Sequence, residues 1–131
     1  MAMFVADETG DLAAVSHFTR RLAGAETNVA IGLARLGLRV GWLSRVGAES
    51  FGRFIRARVE AEGIDCSRVA IVGGQASGFL LKSKAENGAD PLVEYFRKGS
   101  AASRLAPADF DPEYFLAARH LHASGVAAAL P

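Results

Sequence analysis

Two short runs in the chain carry residue types and spacings that could hold a small polar ligand. The first is Ala23-Gly24-Ala25-Glu26-Thr27-Asn28, which leads directly into an apolar stripe at helical spacing. Gly24 would let the backbone approach a ligand closely. A helix beginning here would aim free N–H groups and a partial positive charge at whatever lies before it. The Asn28 side chain donates and accepts together, which suits a vicinal diol. The same residues also make a plain helix cap behind a glycine turn, and spacing alone does not choose between the two. The second run is Tyr95-Phe96-Arg97-Lys98-Gly99-Ser100. Strand alternation puts Tyr95 and Arg97 on one face. There a phenol and a guanidinium can hold a hydroxyl and, in bidentate fashion, a carboxylate. An amphipathic edge strand with solvated charges fits these residues equally well, and Lys98 lies either near an anion or in water.

Other candidates carry less. Val46-Gly47-Ala48-Glu49-Ser50-Phe51-Gly52 has the outline of a phosphate loop. It lacks the Lys and Ser/Thr pair of a P-loop and the glycine spacing of a dinucleotide fingerprint. A strand, a turn and a helix packed closely at Gly52 is the better reading. His120 and His122 would face the same side of a strand, but no third metal ligand is evident, so core or sheet-surface histidines are favoured. His17 stands alone. Cys66 is the only cysteine, so no internal disulfide is available, and a buried thiol is expected.

The elements that must position these residues follow from periodicity and punctuation. Met1 to Ala6 reads as a strand followed by the polar turn cluster Asp7-Glu8-Thr9-Gly10-Asp11, and His17 to Leu22 as an edge or lid strand. Asn28 to Leu36 is the clearest helix, with Thr27 or Asn28 as its cap and Gly37 at its end. Arg39 to Val46 reads as a strand carrying Val40, Trp42 and Leu43. Ser50 is placed to cap a second helix reaching about Glu62 and closed by Gly63. Two strand-helix units in succession suggest parallel strands with crossover helices. Gly78 to Lys84 and Leu92 to Arg97 form a β-hairpin around Glu86-Asn87-Gly88-Ala89-Asp90-Pro91. A helical connection punctuated by Pro107 and Pro112 precedes Arg119 to Val126, which reads as a further core strand. The apolar start at Met1 and the small apolar run Ala127 to Leu130 give both ends a cut look.

Bulk properties narrow the partners. The chain has 131 residues, half of them apolar and 22% charged, with 15 basic against 14 acidic residues. That suits one compact domain. The balance offers no electrostatic footprint for nucleic acid or a lipid surface, and the aromatics do not interleave with basic residues as a base-stacking surface requires. No apolar run approaches the length of a membrane span and no basic leader opens the chain, so a cytoplasmic protein is expected.

Taken together, Ala23 to Ala30, Leu33-Ala34-Arg35-Leu36-Gly37 and Arg45-Val46-Gly47 with Gly52 resemble the ribokinase-like, or PfkB, family of carbohydrate kinases. Glu26 departs from the family's small residues at its position. Gly-Ala-Glu-x-Asn nevertheless resembles the 2-keto-3-deoxygluconate kinase branch, as do Tyr95 to Ser103 and Leu121 to Gly125. The resemblance implies an α/β fold: part of a doubly wound, mostly parallel sheet with crossover helices, plus a small β lid from segments near 12–23 and 76–98. It implies a sugar acid as substrate, with Gly24, Ala25, Glu26, Thr27 and Asn28 touching the sugar. Tyr95 and Arg97 would reach down from the lid, Arg97 to the carboxylate. A tyrosine that some relatives carry on the first hairpin arm is replaced by Leu80. The family's Gly-Ala-Gly-Asp motif, source of its anion hole and catalytic base, does not occur in residues 1–131. The chain therefore reads as the N-terminal part of a kinase that uses ATP and Mg2+, with the ATP-binding and catalytic part absent and no activity alone. A sugar-binding or dimerisation module pairing through its lid, or a fructokinase or nucleoside kinase of the same family, are the alternatives.

Overall fold

A computed structural model describes residues 1–129. Strands β1 (Ala2–Ala6), β2 (Phe18–Leu22), β5 (Phe79–Lys82) and β6 (Val93–Phe96) form a four-stranded sheet in the order β2-β1-β5-β6. Strands β3 (Ser44–Gly47) and β4 (Val69–Val72) form a two-stranded parallel sheet. Helix α1 (Ala25–Arg35) follows β2, and α2 (Ser50–Glu60) is the crossover between β3 and β4. Beyond β6 come 3-10 turns at Ala102–Arg104 and Pro107–Asp109, then the short helices α3 (Pro112–Leu116) and α4 (Gly125–Ala128). Parallel strands with a crossover helix occur as expected, and the parallel pairings are β3 with β4 and β1 with β5. The outer strands of the larger sheet, β2 and β6, pair antiparallel, as the hairpin pattern requires.

The main core fills the space between α1, α2 and the β3–β4 sheet. Ala30, Val46, Ile55, Val59, Ile64, Cys66 and Val69 are buried together, with Trp42, Val40 and Phe54 packed against them. Helix α2 presents Ile55 and Val59 at helical spacing, and both are among the most deeply buried side chains. A second apolar contact runs from α2 into the larger sheet. Phe51 lies 5.4 Å from Phe4 and 5.6 Å from Phe79, and Phe79 stacks on its cross-strand partner Phe96 at 4.8 Å. Burial pushes the Cys66 thiol up to about 11, in keeping with a packing role.

Several expectations are corrected. Helix α1 begins at Ala25 with Gly24 as its cap, because Gly24 adopts φ 155° and turns the chain directly into the helix. The Thr27 hydroxyl donates back to the Gly24 carbonyl at 3.1 Å instead of capping. Helix α2 starts at Ser50 with Glu49 as the cap residue, and the Ser50 hydroxyl accepts from Arg53. The strand expected over Arg39 to Val46 is confined to Ser44–Gly47. Gly41 makes one isolated parallel bridge to Asp65, after which a turn closed by the Val69 amide on the Cys66 carbonyl breaks the facing ladder. The connection from β1 to β2 is a longer loop from Asp7 to His17 that buries Leu12, not a tight turn.

The core strand expected over Arg119 to Val126 does not form. No strand among the described residues pairs with this segment, Leu121 and Val126 are largely exposed, and Ser124 caps α4. His120 and His122 are exposed rather than set in a core or a sheet. Of the apolar run Ala127 to Leu130, Leu130 lies outside the described residues. Among those residues no helix is long and apolar enough to cross a membrane.

Ile55→Ala should cost about 2–5 kcal/mol, since it removes a fully packed side chain at the centre of the core. Urea unfolding should show a lower midpoint with an unchanged slope.

Candidate functional site

Strand register decides whether the two candidate runs meet. Leu22 pairs with Ala2, Ala2 with Phe79, and Phe79 with Phe96, so one row crosses the whole four-stranded sheet. Just beyond that row the Ala23 amide donates to the Met1 carbonyl at 3.0 Å, and the Ala2 amide donates to the Gly78 carbonyl at 3.2 Å. A side chain at Gly78 would press on both Arg97 and Met1. Ala23, Met1, Gly78 and Arg97 therefore stand side by side at one end of the sheet, roughly 14 Å from first to last at ordinary strand spacing. The start of α1 and Arg97 share that end.

Within the first run the side chains divide. Gly24 has no room for a β-carbon, which would sit 2.6 Å from the Thr27 hydroxyl. Thr27 is buried, with its hydroxyl spent on Gly24. Glu26, in the first turn of α1, is half-buried and bonds the Ser124 hydroxyl. Asn28 is exposed. In the second run the Arg97 guanidinium lies 4.9 Å from the centre of the Tyr95 ring, a cation–π contact along one strand face. Tyr95 is 56% exposed and Arg97 half-buried, so both keep polar atoms free for a ligand. Leu80, opposite Tyr95 on β5, is buried within the sheet.

The third run is a structural junction. A β-carbon on Gly52 would fall on the Gly47 carbonyl oxygen, and one on Gly47 would fall on the Glu49 carboxylate. Such close packing was legible in the glycines. The partner of Glu49 was not. The buried Ser77 donates its amide to Glu49 Oε1 at 2.8 Å, while its hydroxyl accepts from the Gly47 amide at 2.9 Å. Burial alone would raise the Glu49 carboxyl, but the amide and hydroxyl of Ser77, together with the backbone amides of Glu49 and Gly52, outweigh it and hold it below the usual carboxylate range. Sequence reasoning missed this bond and the Glu26–Ser124 bond alike. Both join residues far apart in the chain, and no local spacing signals them.

No group of three or more His, Cys, Asp or Glu side chains among the described residues could hold a metal ion. The turn at Gly47 to Gly52 is filled by its own Glu49 carboxylate. These residues do not fit a nucleotide or its metal, and no step through either is assigned to them.

An α/β unit whose parallel strands are crossed by helices, with antiparallel strands flanking the larger sheet, defines the class as a partial sugar-kinase-like fold. The chain belongs to the pfkB family of carbohydrate kinases, whose family model matches residues 1–131. It is 52% identical over 131 residues to a 2-dehydro-3-deoxygluconokinase of Bacillus subtilis, covering 99% of this chain and 40% of the relative. It is 35% identical over 123 residues to the enzyme of that name from Thermoproteus tenax, covering 92% and 38%. The crystal structure of a PfkB protein from Polaromonas sp. JS666 superposes with a TM-score of 0.93 at 56% identity, over 96% of this chain and 42% of that one. The chain thus spans about 40% of the length of the curated relatives it matches.

The Glu49 carboxyl is lower in the folded than in the unfolded chain. Its stabilisation is therefore complete above the ordinary carboxylate range and is lost as pH falls through the lowered folded value. Glu49→Gln should be less stable than the parent at about pH 7, and the gap between their urea midpoints should shrink towards about pH 3. A gap that stays constant across this range would show that the carboxylate charge plays no part.

Proposed function

We propose that this chain is the sugar-binding part of an ATP-dependent kinase that phosphorylates a hydroxyl of 2-keto-3-deoxygluconate or 2-ketogluconate. The observation that carries the reading is the shared sheet end, at which the glycine-led start of α1 and the Tyr95–Arg97 pair both stand. The 52% identity to a 2-dehydro-3-deoxygluconokinase supports the choice of sugar.

Each residue has a definite task in this reading. Gly24 and Ala25 bring backbone close to the sugar, and the free amides of the first turn of α1 favour its oxygens. Asn28 holds a pair of adjacent hydroxyls. Glu26 is oriented by Ser124, and Thr27 fixes the turn from inside. Tyr95 bonds a hydroxyl, and Arg97 takes the carboxylate with two parallel N–H groups. Segments near 12–23 and 76–98 serve as the lid, whose exposed Leu92, Tyr95 and Phe96 suit pairing between subunits. ATP and Mg2+ belong to the family's downstream motif, Gly-Ala-Gly-Asp, and a cytoplasmic location suits such chemistry.

Calorimetry tests the substrate class. Arg97→Leu should weaken binding of 2-keto-3-deoxygluconate by about 10- to 100-fold, the range expected for losing a charge-assisted bidentate pair, and should change fructose binding little. Equal losses for the acidic and the neutral sugar would remove the reason for preferring the acid. The chain alone should release no ADP from ATP in the presence of Mg2+ and the sugar. Measurable turnover would place catalytic groups within these residues and overturn the assignment.

A further inference from the structure

The basic residues are not spread evenly over the surface. A cleft of about 220 Å³ opens between β2 and the C-terminal halves of α1 and α2, and Arg20, Arg21, Arg35 and Arg58 surround it. Only one carboxylate, Glu62, shares that lining, in a chain whose formal net charge is just +1. Like charges gather this closely only at a cost in free energy unless an anion joins them.

Two of the four guanidinium groups are held in place. Arg35 donates from Nε and Nη2 to the two Glu62 oxygens at 2.8 and 2.6 Å, leaving Nη1 without a partner among the described residues. The Arg20 guanidinium carbon lies over the Phe54 ring, 4.0 Å from its centroid, and the group makes no hydrogen bond or ion pair among the described residues. Arg21 and Arg58 are exposed and make no hydrogen bond or ion pair among the described residues. The rest of the lining is apolar: Leu22 and Ile31, half-buried and seated on the main core. A site with two fixed cations, the free Arg58 and an apolar floor is asymmetric in a way that selects its ligand, while strand alternation turns Arg21 to the other face of β2 from Arg20 and Leu22.

We propose that this cleft binds a small phosphomonoester, with the phosphate on the guanidinium groups and an apolar or aromatic body against Leu22 and Ile31. A phosphate dianion presents three oxygens and can engage several guanidinium forks at once, whereas one bidentate contact satisfies a carboxylate. The size of the cleft suits a single small ester rather than a polymer. Arg35 is the last residue of α1, about three turns or ~15 Å from Gly24. The Arg35–Glu62 end of the cleft therefore lies away from the space proposed for the sugar, while Leu22 at its other end adjoins it; a parallel titration with 2-keto-3-deoxygluconate, which should leave residues 31–35 and 58–62 unshifted, keeps the two readings apart.

Nuclear magnetic resonance titration of the full chain with phenyl phosphate and with inorganic phosphate tests the site. Saturable shifts should concentrate on residues 20–22, 31–35 and 58–62. Phenyl phosphate should bind several-fold tighter than inorganic phosphate, because its ring covers Leu22 and Ile31. Arg20→Gln and Arg58→Gln should each weaken phenyl phosphate by about five- to tenfold. Arg119→Gln, an exposed arginine outside the cleft, should leave binding unchanged. Shifts scattered over all basic residues, no saturation, or equal weakening by Arg119→Gln would overturn the site. Equal affinity for the two phosphates would overturn the apolar floor.

Discussion

The bond between Glu49 and Ser77 joins two sheets that otherwise share little backbone contact. Glu49 ends the turn from β3 into α2, and Ser77 lies just before β5 of the larger sheet. Because Ser77 also accepts from the Gly47 amide, the carboxylate, the hydroxyl and two amides satisfy one another in a buried setting. The geometry needs glycine on both sides. Gly52 lets α2 lie against the Gly47 carbonyl, and Gly47 leaves space for the carboxylate. A two-stranded sheet is marginal alone, so β3 and β4 depend on α2 and on this junction to belong to a larger structure.

The junction also sets the placement of the aromatic contact. With α2 held at its first turn, Phe51 reaches Phe4 and Phe79, and the stacked pair Phe79 and Phe96 carries the packing out to the last strand. That chain of rings fixes β6 relative to β1, and β1 is bonded at its other edge to β2, which runs into Gly24. The two ends of the proposed sugar space therefore reach one another through packing rather than through any direct bond between them.

How much of this was legible in the sequence depends on the range of the interaction. Helix α2 and the β5–β6 hairpin were readable because their apolar spacing and the Asn87-Gly88 turn, with both residues at positive φ, are local signals. The start of α1 was misread by three residues, because Gly24 supplies a backbone angle that a side-chain capping rule does not consider. The strand over Arg39 to Val46 was shortened by a turn in its partner segment, and the one over Arg119 to Val126 lacks any partner among the described strands. Strand propensity describes a surface that wants a neighbour; it does not supply one. Glu26 with Ser124 and Glu49 with Ser77 pair across long stretches of chain, so only the folded arrangement reveals them. The family resemblance singled out two runs, and the arrangement inside the first, with Thr27 buried and Asn28 exposed, came from the structure.

Charge shows the same lesson at a larger scale. A net charge of +1 offers no electrostatic footprint for nucleic acid or a lipid surface when the chain is treated as a whole. Screening limits such an average, because charges farther apart than about 8–10 Å act nearly independently in physiological salt. What matters to a ligand is which charges share one Debye length. Folding brings Arg20 on β2 together with Arg35 at the end of α1 and Arg58 on α2, while most acidic residues lie elsewhere. A nearly neutral composition is therefore compatible with a focused site for one small anion.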